Sequence, residues 1–309
     1  MNSATNICDL SMATPVVVTP AVVTPVSAWR NFCELLKPRM NLLILGTTTV
    51  GFSIAARTTA DWTRLPNTLV GTALCAASAA ILNQCLEREY DGLMRRTAHR
   101  PLPTGRISPA QALIFGVAAG MLGGLYLLLL VNWLTAALSS ATLLSYVLIY
   151  TPLKRLTTLN TIVGAVSGAM PPMMGWTAVT GSLAAPAWAL FAILFVWQIP
   201  HFLAIATLYR EDYRLGGFEM LPVNDPTLRA TGRQIVLYSA AMLPVSLLPA
   251  MVGVAGEIYT VSAVLLGVGF FAFCVSCATR RTRPEARRLF FASIIYLPVL
   301  LAVLMLDRI

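Results

Sequence analysis

Charge is scarce in this sequence: of 309 residues only 11% are Asp, Glu, Lys or Arg, and acids number 13. With 57% hydrophobic residues and a mean hydropathy of +0.73, this excludes an ordinary soluble domain. Histidine is nearly absent, at two residues. Six cysteines are scattered, and the one close pair, Cys274-x-x-Cys277, lies inside an apolar run with no second pair beside it. A Cys/His metal centre or a redox dithiol therefore has little to stand on. Residues 1 to 28 lack any basic residue and repeat Thr-Pro every five positions. Proline at that spacing forbids the helical core of a signal peptide, and the segment reads as a disordered cytoplasmic extension.

What is abundant is apolar sequence in lengths of about 20 residues, enough to cross a bilayer. Such segments fall near 41–57, 67–86, 111–131, 133–150, 160–179, 186–208, 234–254, 258–278 and 289–306. The expectation is an all-α polytopic membrane domain over residues 29–309, with nine transmembrane helices. If the N-terminus is cytoplasmic, 19 of the 22 basic residues fall in inside loops, and only Arg57, Arg64 and Arg308 fall outside. That asymmetry obeys the positive-inside rule, so the net charge of +9 reports topology and calls for no nucleic acid.

The charge that exists is concentrated. In residues 83 to 106, Asn83, Glu87, Asp91 and Arg95 recur every fourth position and share one face of a helix. Two carboxylates one turn apart repel, and a divalent cation removes that repulsion. An all-oxygen set of this kind suits Mg²⁺, which keeps several waters and completes its shell from substrate phosphates. Gly92 ends the helix, and Arg95, Arg96, Arg100 and Arg106 follow in a loop stiffened by Pro101 and Pro103. A carboxylate-bound metal beside guanidinium forks suits a diphosphate. The plain alternative is a solvated loop whose arginines serve only topology.

Further on, Ser108-Pro109 marks a helix start and Asn132 a tight turn between spans. Lys37 and Arg39 enter the first span where they can snorkel to head groups. Tyr150, Lys154 and Arg155 form a short basic loop. Gly164-x-x-x-Gly168 offers a small-residue face for close helix packing, and Pro171-Pro172 must break the fifth span. Gln198 and His201 lie three apart; if their helix runs on to Asp212, one stripe carries Gln198, His201, Tyr209 and Asp212, with Asp212 as a second carboxylate opposite the first. The basic run from Arg280 to Arg288 has no paired acid spacing and reads as a topology determinant.

The stretch NQCLEREYDGLMRRTAHRPLPTGRISP resembles the Asn-x-x-x-acid-x-x-x-Asp signature of the UbiA-type intramembrane prenyltransferases. Met94, Arg96-Thr97 and Arg100-Pro101 are similar to its heme-farnesylating branch, as are LLKPRMN, YTPLKRLTTLNTIVGAVSGAMPPMMGW, FVWQIPHFLAIA, DYRLGGFEMLPV and ATGRQI. The likeness implies helices around a central cavity open to the cytoplasmic side of a bacterial inner membrane. It implies farnesyl transfer from farnesyl diphosphate to a vinyl group of heme B with water addition, giving heme O, a product for a downstream heme-modifying enzyme or terminal oxidase assembly. By matching position, Asn83, Glu87 and Asp91 would hold Mg²⁺ and the diphosphate. Arg96, Arg100, Lys154 and Arg155 would bind phosphate oxygens beside Tyr150, with Asp212 across the site and His201 and Gln198 on the heme side. A quinone precursor or another tetrapyrrole as acceptor stays open, as does secondary transport of an anionic solute. Transport fits less well, because transporter sites lie near the midplane and these acids lie at one face.

Overall fold

The computed structural model describes residues 28–309; the extension expected over residues 1–28 lies outside them, save for its last residue. Among the described residues the chain is helical throughout, with no strand beyond an isolated bridge between Ala255 and Arg308. A short amphipathic helix, α1 (Ala28–Leu35), buries Leu35 and leaves Trp29 in the open. It leads into α2 (Pro38–Ala55), then α3 (Leu65–Asp91), α4 (Pro109–Leu130) and α5 (Trp133–Leu144). The broken pair α6 (Asn160–Ala169) and α7 (Pro171–Thr180) follows, and then α8 (Ala185–Leu208) and the short α9 (Arg210–Leu215). Last come α10 (Arg229–Val245), α11 (Glu257–Arg280) and α12 (Arg283–Leu306).

Seven helical segments are long and apolar enough to cross a membrane. The other two expected spans are helical but fall short as single helices. Helix α2 has 18 residues with Arg39 and Asn41 in its first turn, and the fifth span is two ten-residue helices parted at Met170, because Pro171 and Pro172 supply no N–H. The expected starts are present: Ser108 caps α4 in a reciprocal pair with Gln111, and Asn132 caps α5.

Helix α3 packs on α4, α2 on α7, and α8 on α6, α10 and α12. Burial separates inner from outer helices. The spans containing α3 and α8 are 56% buried, against 28% for those of α4, α5, α10 and α11. The outer face of α4 exposes Ile114, Met121, Leu122 and Leu129, side chains compatible with hydrocarbon. The two most enclosed helices are the two that carry the polar motifs. Where α2 meets α7 the backbones touch: a Cβ on Gly51 would stand 1.9 Å from the Pro172 carbonyl oxygen, and one on Gly175 1.9 Å from that of Thr48.

The helix ends sort by charge. The loops after α3, α5 and α8 meet at one end, where the Glu219 N–H donates to the Lys154 carbonyl at 2.7 Å and Arg96 reaches Tyr213. At the opposite end the C-terminus is tied down: Arg57 donates to the Ile309 carbonyl, Arg308 to that of Ser53, and Asp307 accepts from the Tyr259 N–H.

Candidate active site at the basic end of the bundle

The last three turns of α3 build the centre. Asn83, Glu87 and Asp91 are buried, at 1%, 6% and 1% exposure, so the four-residue spacing does set them along an inward face. Arg95 lies past the helix end and is exposed. The repulsion between the two carboxylates is already answered by the protein. Lys154 Nζ donates to Glu87 Oε1 at 2.7 Å, and Arg100 Nη1 to Asp91 Oδ2 at 2.6 Å. Helical periodicity fixes neither partner: Arg100 lies nine residues past Asp91, beyond the helix end, and Lys154 lies 67 residues from Glu87.

Lys37 does not take the outward position expected of it. Its Nζ points inward and donates to Asn83 Oδ1 at 3.1 Å, instead of reaching outward to head groups. The backbone there is left-handed, with φ 47°, which turns the side chain inward as α2 begins. Burial, with the Arg100 and Lys154 charges beside it, pushes Lys37 down to about 7. Burial alone would also lower Lys154, but the Glu87 carboxylate and the neighbouring tyrosines more than reverse it, so the Lys154 pKa is raised.

Lys154 owes its position to a π-helical stretch, Ser145–Tyr150, that extends α5. Pro152 has no N–H to bond the carbonyl four residues back, so the ladder widens, and Thr151 Oγ1 donates to the Tyr146 carbonyl instead. The same hydroxyl accepts from Asn83 Nδ2 at 3.1 Å, which fixes the amide with its oxygen toward Lys37. The Tyr150 ring lies 4.7 Å from Lys154 Nζ and fits where Gly164 has no side chain; a Cβ there would approach the ring to 2.5 Å. Gly168 likewise makes room for the Gln198 amide. The Gly-x-x-x-Gly face thus seats two side chains; the close backbone approach expected of it is made elsewhere, by Gly51 and Gly175.

The remaining arginines divide. Arg155 stacks on Tyr90, 3.9 Å from the ring centroid, and donates to its hydroxyl. Arg96 lies over Tyr209 and Tyr213, 4.9 and 5.5 Å from their centroids, and so joins the loop after α3 to α9. Arg106 is taken up by Asn31, Glu34 and the His99 carbonyl, strapping α1 to that loop.

The stripe expected from Gln198 to Asp212 does not form. Helix α8 ends at Leu208, Tyr209 departs from helical geometry, and α9 starts afresh. Asp212 is half-buried, and no hydrogen bond or ion pair joins it to the α3 cluster among the described residues. Gln198 faces α6 at Gly168, and its Nε2 donates back along α8 to the Leu194 carbonyl. His201 faces α12. Its ring stacks between Trp197 and Phe290, and Nδ1 lies 2.7 Å from Ser293 Oγ. The Ser293 hydroxyl donates to the Phe290 carbonyl, so His201 Nδ1 carries the proton of that contact.

Does this donor set fit Mg²⁺? Asp91 Oδ1 is buried with no hydrogen-bond partner, an uncompensated anionic oxygen of the sort a hard cation satisfies. Asn83 and Glu87 add oxygens on the same face. No cluster of three or more His, Cys, Asp and Glu side chains exists among the described residues, so the remainder of the shell would come from water and substrate. The residues fit a cation shared with a phosphate.

Comparison with known proteins bears on the same region. The family model described as "UbiA prenyltransferase family" matches residues 44–295. A protein of Solibacter usitatus named protoheme IX farnesyltransferase is 46% identical over 288 residues, covering 90% of this chain and 99% of its own length. One of Vibrio vulnificus with the same name is 41% identical, covering 91% and 94%. Among solved structures, a digeranylgeranylglyceryl phosphate synthase superposes with TM-score 0.74 at 16% identity, over 90% of this chain and 98% of that one. A UbiA homolog from Archaeoglobus fulgidus bound to DMAPP and Mg²⁺ gives 0.65 at 16% identity, over 89% and 99%. A family match spanning most of the chain, and relatives above 40% identity along nearly its whole length, leave one conclusion: this chain belongs to the UbiA prenyltransferase family.

Proposed function

We propose that the protein transfers the farnesyl group of farnesyl diphosphate to a vinyl group of heme B, with water adding to give heme O. The observation that carries this reading is the full-length likeness to relatives bearing the name protoheme IX farnesyltransferase, joined to the buried cluster on α3. Lys154, Arg100 and Lys37 stand ready to receive diphosphate oxygens as their present partners rearrange. Arg96 and Arg155, held on tyrosine rings at the same end, add positive potential around it. Asn83, Glu87 and Asp91 would hold Mg²⁺, which when bound neutralises charge on the leaving diphosphate.

The allylic C–O bond breaks and diphosphate leaves as that charge is stabilised, the vinyl π electrons form the new C–C bond to the farnesyl carbon, and water adds to the cation left beside the ring and gives up a proton to solvent. The apolar walls of α3 and α8 exclude stray water until the C–C bond has formed. Asp212 is proposed to act from the α9 side, with Gln198 and His201 shaping the heme side. We assign the basic end to the cytoplasm of a bacterial inner membrane, nine segments to the bilayer, and receipt of the product to a downstream oxidase-assembly step.

The test is incubation of the purified protein with heme B, farnesyl diphosphate and Mg²⁺, with and without EDTA, followed by mass analysis of the porphyrin. A hydroxyethylfarnesyl product that disappears with EDTA is expected. Unmodified heme, or prenylation of a quinone precursor in its place, refutes the assignment.

A further inference from the structure

The start of α12 carries chemistry that the reaction described above does not use. Arg280, at the end of α11, and Arg283, Arg287 and Arg288, in the first two turns of α12, stand close together, yet they are not equivalent. The buried carboxylate of Glu285 takes Arg280 at 3.1 Å and Arg288 at 2.7 Å, and Ser276 bonds its second oxygen. Arg283 and Arg287 have no carboxylate partner among the described residues; Arg287 lies over the Phe291 ring, 5.7 Å from its centroid. One helical turn apart, these two guanidinium groups line a pocket of about 650 Å³ between the end of α8 and the start of α12. Its other walls include Leu208, Tyr209, Phe290 and Phe291. Such a volume is of the size that takes a single large ligand.

We infer that this pocket seats the heme acceptor, Arg283 and Arg287 gripping its two propionates while Phe290, Phe291 and Tyr209 pack on the porphyrin. The inference rests on the proposed reaction. Its support is complementarity: a flat aromatic dianion needs two unpaired cations on one edge and rings along its faces. Heme B carries its carboxylates on one edge and its vinyl groups on the other, so holding the first at the arginines leaves the second along the aromatic wall. That wall touches both halves of the site. Tyr209 lies under Arg96, from the loop that follows α3, and Phe290 stacks on His201 at 5.3 Å. His201 thereby supports the pocket from behind, as a positioning residue.

The competing occupant is an anionic lipid headgroup, and the test separates the two. Full-length protein in phosphatidylcholine nanodiscs is titrated with heme B and with its dimethyl ester, followed by the Soret band. The Arg283→Gln/Arg287→Gln variant is measured alongside, and all titrations are repeated with phosphatidylglycerol present. Two partly exposed charge pairs correspond to roughly a tenfold difference in affinity. Wild type is expected to prefer heme B over the ester by about that factor. The variant should lose this preference, bind the ester as wild type does, and keep its KM for farnesyl diphosphate within about twofold. Both arginines are exposed, so the variant should fold, and its unfolding temperature checks this. Unchanged heme affinity in the variant overturns the pocket, as does a surviving preference for the free acid or an effect seen only with phosphatidylglycerol. Failure of wild type to bind heme B at all would instead remove the proposed reaction, and the pocket's occupant with it.

Discussion

Replacing Lys154 by Met should separate the structural from the chemical role of the α3 cluster. Lys154 Nζ and Glu87 Oε1 are 2.7 Å apart, with side-chain exposures of 12% and 8%. At an effective dielectric of 20, their attraction is about 6 kcal/mol, most of it spent on desolvating both groups. Truncating one partner strands the other, so Lys154→Met should cost about 3–5 kcal/mol, a fall in unfolding temperature on the order of 10 °C. Adding Glu87→Gln removes the stranded charge and should restore most of that stability, but not turnover, because both side chains are proposed to serve the diphosphate site. The folded-state pKa of Lys154 lies above its ordinary value, so the stabilisation is complete at any pH below that ordinary value and fades only as pH rises through the raised one. Titration of Lys154 itself accordingly adds no pH dependence to the deficit between pH 6 and pH 8. Thermal unfolding in detergent, followed by intrinsic fluorescence, together with heme O formation, provides the readout. A double variant less stable than the single one would refute the reasoning, as would a single variant as stable as wild type.

Three other outcomes are expected. Asp91→Ala should abolish transfer while the protein still inserts in the membrane, and farnesylated heme at near-normal rate would remove Asp91 from the site. His201→Ala should weaken heme binding with less effect on farnesyl diphosphate, and by unstacking two rings it should lower stability by roughly 1–3 kcal/mol, measured as unfolding temperature. Asp225 accepts from the Thr231 N–H and hydroxyl near the start of α10; burial opposes its ionisation, but these bonds outweigh it and lower its pKa. Its contribution is therefore present above the ordinary carboxylate pKa and lost as pH falls through the lowered one, and Asp225→Ala should cost about 0.5–2 kcal/mol at neutral pH and nothing measurable in strong acid.

Local pattern was enough for much of this molecule. Apolar runs, proline, glycine and capping hydroxyls act through the chain within four residues of themselves, so the helices, the start at Ser108, the break at Pro171 and the end at Gly92 could be read directly. So could the shared face of Asn83, Glu87 and Asp91, because helical periodicity alone sets it. Partnerships between helices could not. Whether Lys37 snorkels or turns to Asn83, whether Gln198 and His201 meet one neighbour or two, and which of the arginines near α12 Glu285 consumes all depend on how separate helices lie against one another. Periodicity says which side of a helix is polar, and only packing says what stands opposite; that is why the cluster on α3 was visible in the chain and the cations that hold it were not.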